Sequence, residues 1–130
     1  MKVAKSHSVK ALANRVLSYL QKHRSAFFSE LAEEFEEFRD GDLRVTSTAR
    51  GHSNVVLWVR VTEPAVEALK LLQERGAVRY RPLHGLEMLM HGSFPNLPTA
   101  RRPRHYKTPR WLPVAVEPTN YKAKGHRLAA

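Results

Sequence analysis

The chain has no cysteine, which excludes disulfide staples, thiolate metal ligands and a cysteine nucleophile. No apolar run approaches the roughly 18 residues that a membrane span needs. The first residues, Met-Lys-Val-Ala-Lys-Ser-His, are interrupted by charge at once. Neither a GxxxxGK[ST] phosphate loop nor a GxGxxG turn occurs, and the seven histidines form no HxxxH or HExxH pair. These gaps argue against nucleotide hydrolysis, dinucleotide chemistry and a metal centre. The expectation is a soluble, cytoplasmic, non-enzymatic protein with no metal, no cofactor and no membrane partner.

What is present is positive charge. Twenty-two Lys and Arg against twelve Asp and Glu give a net charge of +10 over 130 residues. A surface of that kind attracts polyanions and releases their counterions on contact. The charge is unevenly spread. Residues 1–24 hold six basic groups and no acid, whereas residues 25–42 hold seven acids and only Arg39. Residues 101–130 hold eight basic groups and only Glu117. The acidic stretch cannot lie along a phosphate backbone, so it must face solvent, another protein or this chain's own basic parts.

A hydrophobic content of 42% suffices for a real core within one domain. Val9, Leu12, Val16, Leu17 and Leu20 share one face of a helix over 8–23, with Ser6 or Ser8 as its cap. Phe28, Leu31, Phe35 and Phe38 predict a second helix over 26–38, capped by Ser25, with its aromatic stripe in the core. Residues 54–62 form the clearest strand, with Trp58 as a core anchor. Thr62-Glu63-Pro64 opens a third helix and Gly76 closes it. Residues 77–81 and 86–90 then read as a hairpin about Pro82-Leu-His-Gly85. After Gly92 come six of the eight prolines and no helical period, so residues 93–130 read as an extended basic tail. The fold class expected is α+β: three helices and a small antiparallel sheet in residues 1–92, followed by the tail.

A helix ending at Gly76 and running into a basic hairpin resembles the last third of a winged-helix domain. The resemblance implies that Thr62 to Arg75 is a recognition helix and Ala77 to Met90 a wing, within a domain covering residues 8–91. It departs from that family in order, since this chain reads helix, helix, strand, helix, strand, strand. The exposed positions of the third helix also offer Glu63, Glu67 and Glu74 beside Lys70, Gln73 and Arg75. Three acids make an awkward reader of base edges.

The candidate contacts to nucleic acid are therefore cations elsewhere. Arg44 and Arg50 lie in a polar loop rich in hydroxyls, and Arg79 and Arg81 would share one face of the wing. Arg101, Arg102, Arg104, Lys107 and Arg110 interleave with His105, Tyr106 and Trp111 in a proline-stiffened arm suited to tracking phosphates. Lys122, Lys124 and Arg127 repeat the theme. DNA is the favoured partner, in regulation or as an accessory factor. Two alternatives stay open: an RNA-binding ribonucleoprotein component, and a small regulator that docks on a protein through Glu33, Glu34, Glu36 and Glu37 of the acidic helix.

Overall fold

Four consecutive apolar residues, Val55 to Trp58, leave no polar face to turn toward water, and all four are buried. They lie in a strand covered on both sides, the environment that rewards β-branched runs. The structure is a computed structural model that describes residues 2–83, 86–90, 95–100 and 102–119. Its elements run α1 (Lys2–His23), β1 (Ala26–Phe27), α2 (Phe28–Glu34), a 3-10 turn (Glu36–Phe38), β2 (Leu43–Thr46), β3 (Ser53–Val61), α3 (Glu63–Glu74), β4 (Val78–Pro82), α4 (Leu86–Leu89), β5 (His105–Trp111) and β6 (Val114–Pro118). The class is α+β, with two three-stranded sheets ordered β1-β6-β4 and β2-β3-β5. All pairings are antiparallel except β3 with β5.

The amphipathic pattern of the first helix places Leu12, Val16 and Leu20 in the core, where α1 packs along α3. The helix starts at Lys2, upstream of the caps expected at Ser6 or Ser8. Helix α3 follows its punctuation: the Thr62 hydroxyl accepts the Ala65 N–H, proline sits in the first turn, and Gly76 adopts φ +68° after the end. Glycine supplies that left-handed conformation without a Cβ penalty.

The expected helix over 26–38 is broken into three pieces. Ala26 and Phe27 are a strand, and Phe27, not Ser25, caps α2, with its N–H donating to Glu30 Oε1 at 2.8 Å. The helix stops because Phe35 is extended, with φ −124° and ψ 117°. Phe28, Leu31, Phe35 and Phe38 all still reach the core despite the break. Arg39 Nη1 caps the orphan carbonyls of Ala32 and Glu33 at 2.8 and 3.2 Å, meeting the need every helix C-terminus has.

The expected hairpin is also corrected. Strand β4 forms but pairs with β6, in a register that runs from Val78 opposite Pro118 to Pro82 opposite Val114. Leu86–Leu89 is a single helical turn, with Leu86 and Met90 exposed. Val114, Ala115 and Val116 offer β4 a partner that is buried on both faces, which outcompetes the Leu-Glu-Met-Leu-Met segment. The boundary expected at residue 92 therefore does not separate the core. Both β5 and β6 lie beyond it, and β6 is the central strand of its sheet.

Once β1 is counted, the helices and first-sheet strands follow the order α1, β1, α2, α3, β4, β6. Residues 39–61 carry β2 and β3, and α4 and β5 fall between β4 and β6 in the chain. Strand β1, which the sequence pattern did not show, is only two residues long, too short to leave a periodic trace.

Candidate nucleic-acid interface

Strand β5 begins beside β3 and then leaves it. Ser53 faces His105, yet Val55 faces Arg110, so residues 106–109 loop away from the ladder before Trp111 rejoins opposite Val56. The departure is pinned at its root. Ser53 N–H donates to the Arg104 carbonyl at 3.2 Å, the Ser53 hydroxyl and His105 Nδ1 lie 2.6 Å apart, and Asn54 Nδ2 donates to the Tyr106 carbonyl at 2.9 Å. Asn54 takes φ +55° to make this turn, a conformation asparagine tolerates better than most residues.

On the bulge, Tyr106 organises arginines. The Arg104 guanidinium carbon lies 5.0 Å from the ring centroid and that of Arg110 lies 5.3 Å from it. Its hydroxyl donates to the Arg102 carbonyl at 2.5 Å. Together with Thr99 these residues line a hollow of about 210 Å³. Cation–π contact holds guanidinium groups without neutralising them, so the hollow keeps its full positive charge. Among the described residues, Arg102, Arg104, Lys107 and Arg110 make no ion pair. Such an arrangement suits phosphate oxygens, to which several planar donors can be aimed at once.

Several expected contacts lie elsewhere. Arg79 and Arg81 on β4 are held by a carboxylate of this chain: Arg79 Nη2 reaches Glu117 Oε1 at 3.0 Å and Arg81 Nε reaches Glu117 Oε2 at 2.8 Å. Arg81 Nη1 also meets Glu87 Oε2 at 3.0 Å. Partial burial by itself would raise the Glu117 carboxyl, but hydrogen bonds and charge from Arg81 and Arg79 outweigh it and hold the pKa below the ordinary value. These two arginines are cross-strand braces, not free phosphate contacts.

Trp111 is the second correction. It is 2% exposed, its Nε1 donates to the Leu57 carbonyl at 3.2 Å, and its ring lies 6.3 Å from that of Trp58. It anchors the arm to the core and has no face for a base. Trp58, stacked on Phe28 at 5.9 Å, is the core anchor expected of it.

Arg44 on β2 and Arg50 in the loop after it are exposed and make no ion pair among the described residues. Arg101, Lys122, Lys124 and Arg127 lie outside the described residues. Glu33, Glu34 and Glu36 are exposed, while Glu37 is half-buried near Arg15 at 3.7 Å and its carbonyl accepts from the Thr62 hydroxyl at 3.0 Å. The acidic residues thus divide, three facing solvent and one joining the entry to α3. Thr99 was absent from the sequence-derived contacts, and Tyr106 was read there as one ring among the cations, not as the group on which Arg104 and Arg110 converge.

Among the described residues no group of His, Asp and Glu is arranged to hold a metal ion, and no helix is long and apolar enough to cross a membrane. The chain matches no protein-family model, and neither the curated proteins nor the solved structures contain a significant match to it.

Proposed function

We propose that this chain is a non-enzymatic nucleic-acid-binding protein that grips phosphates through the arginine hollow around Tyr106. The observation that carries the reading is the convergence of Arg102, Arg104 and Arg110 on one concavity with no carboxylate in its lining. An arginine on a solvated surface needs no such scaffold. Here the Tyr106 ring holds the Arg104 and Arg110 guanidiniums and its hydroxyl fixes the Arg102 backbone before any ligand arrives, which lowers the ordering cost of binding.

A winged-helix plan supports the reading. With β2, β3, α4 and β5 set aside, the remaining helices and strands run helix, strand, helix, helix, strand, strand and the first sheet is ordered β1-β6-β4, which is compatible with that family's plan. In this plan residues 83–113 occupy the place of the wing, and the arginine hollow lies on it. Helix α3 would hold the recognition position, but its exposed Glu63, Glu67 and Glu74 oppose contact with phosphates. Binding through the enlarged wing, tolerant of sequence, fits the charges better than base reading by α3.

The test is direct. Replacing Arg102, Arg104 and Arg110 together with alanine should lower polynucleotide affinity at least tenfold, on the order expected for three lost phosphate contacts at modest salt. Charge reversal at Glu33, Glu34 and Glu36 should leave that affinity intact or raise it. The opposite pattern would move the function to the acidic face and a protein partner.

A further inference from the structure

We infer that the bound polynucleotide is unpaired, with one of its bases seated in a cleft next to the arginine hollow; this rests on the nucleic-acid reading above and narrows its ligand. The cleft, of about 490 Å³, lies between β2, β3 and residues 95–97. That volume is within the range of roughly 300–1,000 Å³ that small-ligand sites occupy. Leu43, Trp58, Val59 and Leu97 give it apolar walls, and Leu43 remains 41% exposed although it belongs to a strand.

The polar groups are those a nucleotide needs. Arg44 and Arg60 border the cleft and make no ion pair among the described residues. Arg60 is held at φ +62°, a left-handed conformation that costs a residue with a Cβ, at an irregularity where the β2–β3 register shifts. Asn96 offers an amide with both donor and acceptor, and Asp42 an acceptor for the exocyclic amine of a base. The carboxylate would repel a phosphate placed deep in the cleft, so the base goes in and its phosphate stays at the rim.

Two features argue for a strand over a duplex. A paired, stacked base presents only its edges, so an apolar cleft gains nothing from it, whereas an unstacked base offers two faces to bury. One wall of the cleft also lies near one wall of the hollow: Leu97 lines the first and Thr99 the second, and two residues span no more than about 7 Å. A base in the cleft and the adjoining phosphate in the hollow are then successive parts of one chain.

The experiment measures binding of the full-length protein to labelled 20-mers, as DNA and as RNA, by fluorescence anisotropy at physiological ionic strength. Each is offered as a single strand, as the same strand with abasic sites, and as its duplex. The base-bearing strand should bind roughly tenfold tighter than the other two, the gain typical of one stacked base. Leu43→Ala, at an exposed position, should reduce that preference; a preference unchanged in this variant would count against the cleft as the seat of the base. Equal binding of base-bearing and abasic strands, or tighter binding of the duplex, would overturn the unpaired-base inference and leave the arginine hollow standing. Failure of all six probes to bind would overturn both.

Discussion

A Cβ at residue 41 would stand inside the carbonyl of Val61 and the amide of Thr62. Gly41 is required there for close approach, since the chain leaving the 3-10 turn runs against the end of β3 and Gly41 N–H donates to the Arg60 carbonyl at 3.2 Å. Gly41→Ala should cost about 1–3 kcal/mol, as overpacking against unyielding backbone does, read from the midpoint of denaturant unfolding. Trp111→Ala should cost about 3–5 kcal/mol, because it empties a fully enclosed site in the core. Glu117 makes stability depend on pH. Its folded pKa lies below the unfolded one, so its pairing with Arg79 and Arg81 stabilises the protein at neutral pH. That contribution is lost as pH falls from the ordinary value of about 4.3 through the lower folded one. Glu117→Gln should therefore flatten the acid limb of a plot of Tm against pH. At pH 7 it should cost about 1 kcal/mol, a small value because both arginines remain partly solvated.

At the level of elements, β6 determines what can be removed. It is the central strand between β1 and β4, and Val114, Ala115 and Val116 are all buried. Truncation after Gly92 should abolish cooperative unfolding, measured by circular dichroism on heating; a sharp transition in the truncated chain would show that the first 92 residues fold alone. Local patterns were legible where one element could satisfy itself. Helix α3 is announced by Thr62, Pro64 and Gly76, and β3 by its β-branched run. Partnership was not. Nothing in Ala77–Arg81 says whether its ladder is filled by residues 86–90 or by Val114–Pro118, because strand pairing is decided by tertiary burial. The prolines of 93–130 read as a tail for the same reason: Pro109 and Pro113 lack a ladder donor of their own, yet Trp111 between them pairs with Val56 and exchanges backbone hydrogen bonds with Pro98 and Ala100. The candidate site was legible in part. Arg102, Arg104 and Arg110 are visible as charge, but only the fold shows that Arg79 and Arg81 are spent on Glu117 and that Trp111 faces inward.

At the level of the whole molecule, the acids among the described residues are more clustered than the cations. Glu33, Glu34 and Glu36 lie on the solvent side of α2 and the turn after it, and α3 carries three exposed acids. Exposed cations lie on α1 at Lys10, Arg15 and Lys22 and on α3 at Lys70, and a further group lies at Arg44, Arg50, Arg60, Arg102, Arg104 and Lys107. On the proposed function, the cations of the 102–110 bulge would draw a polyanion toward the arginine hollow. The account depends on those arginines releasing counterions from a polynucleotide. The measurement that tests it most directly is the slope of log K against log salt concentration for a single strand, compared between the natural chain and the Arg102→Ala, Arg104→Ala, Arg110→Ala triple variant. Three lost phosphate contacts predict a slope shallower by roughly 2, at about 0.7 per contact. An unchanged slope in a variant that still folds would contradict the arginine hollow as the site of binding.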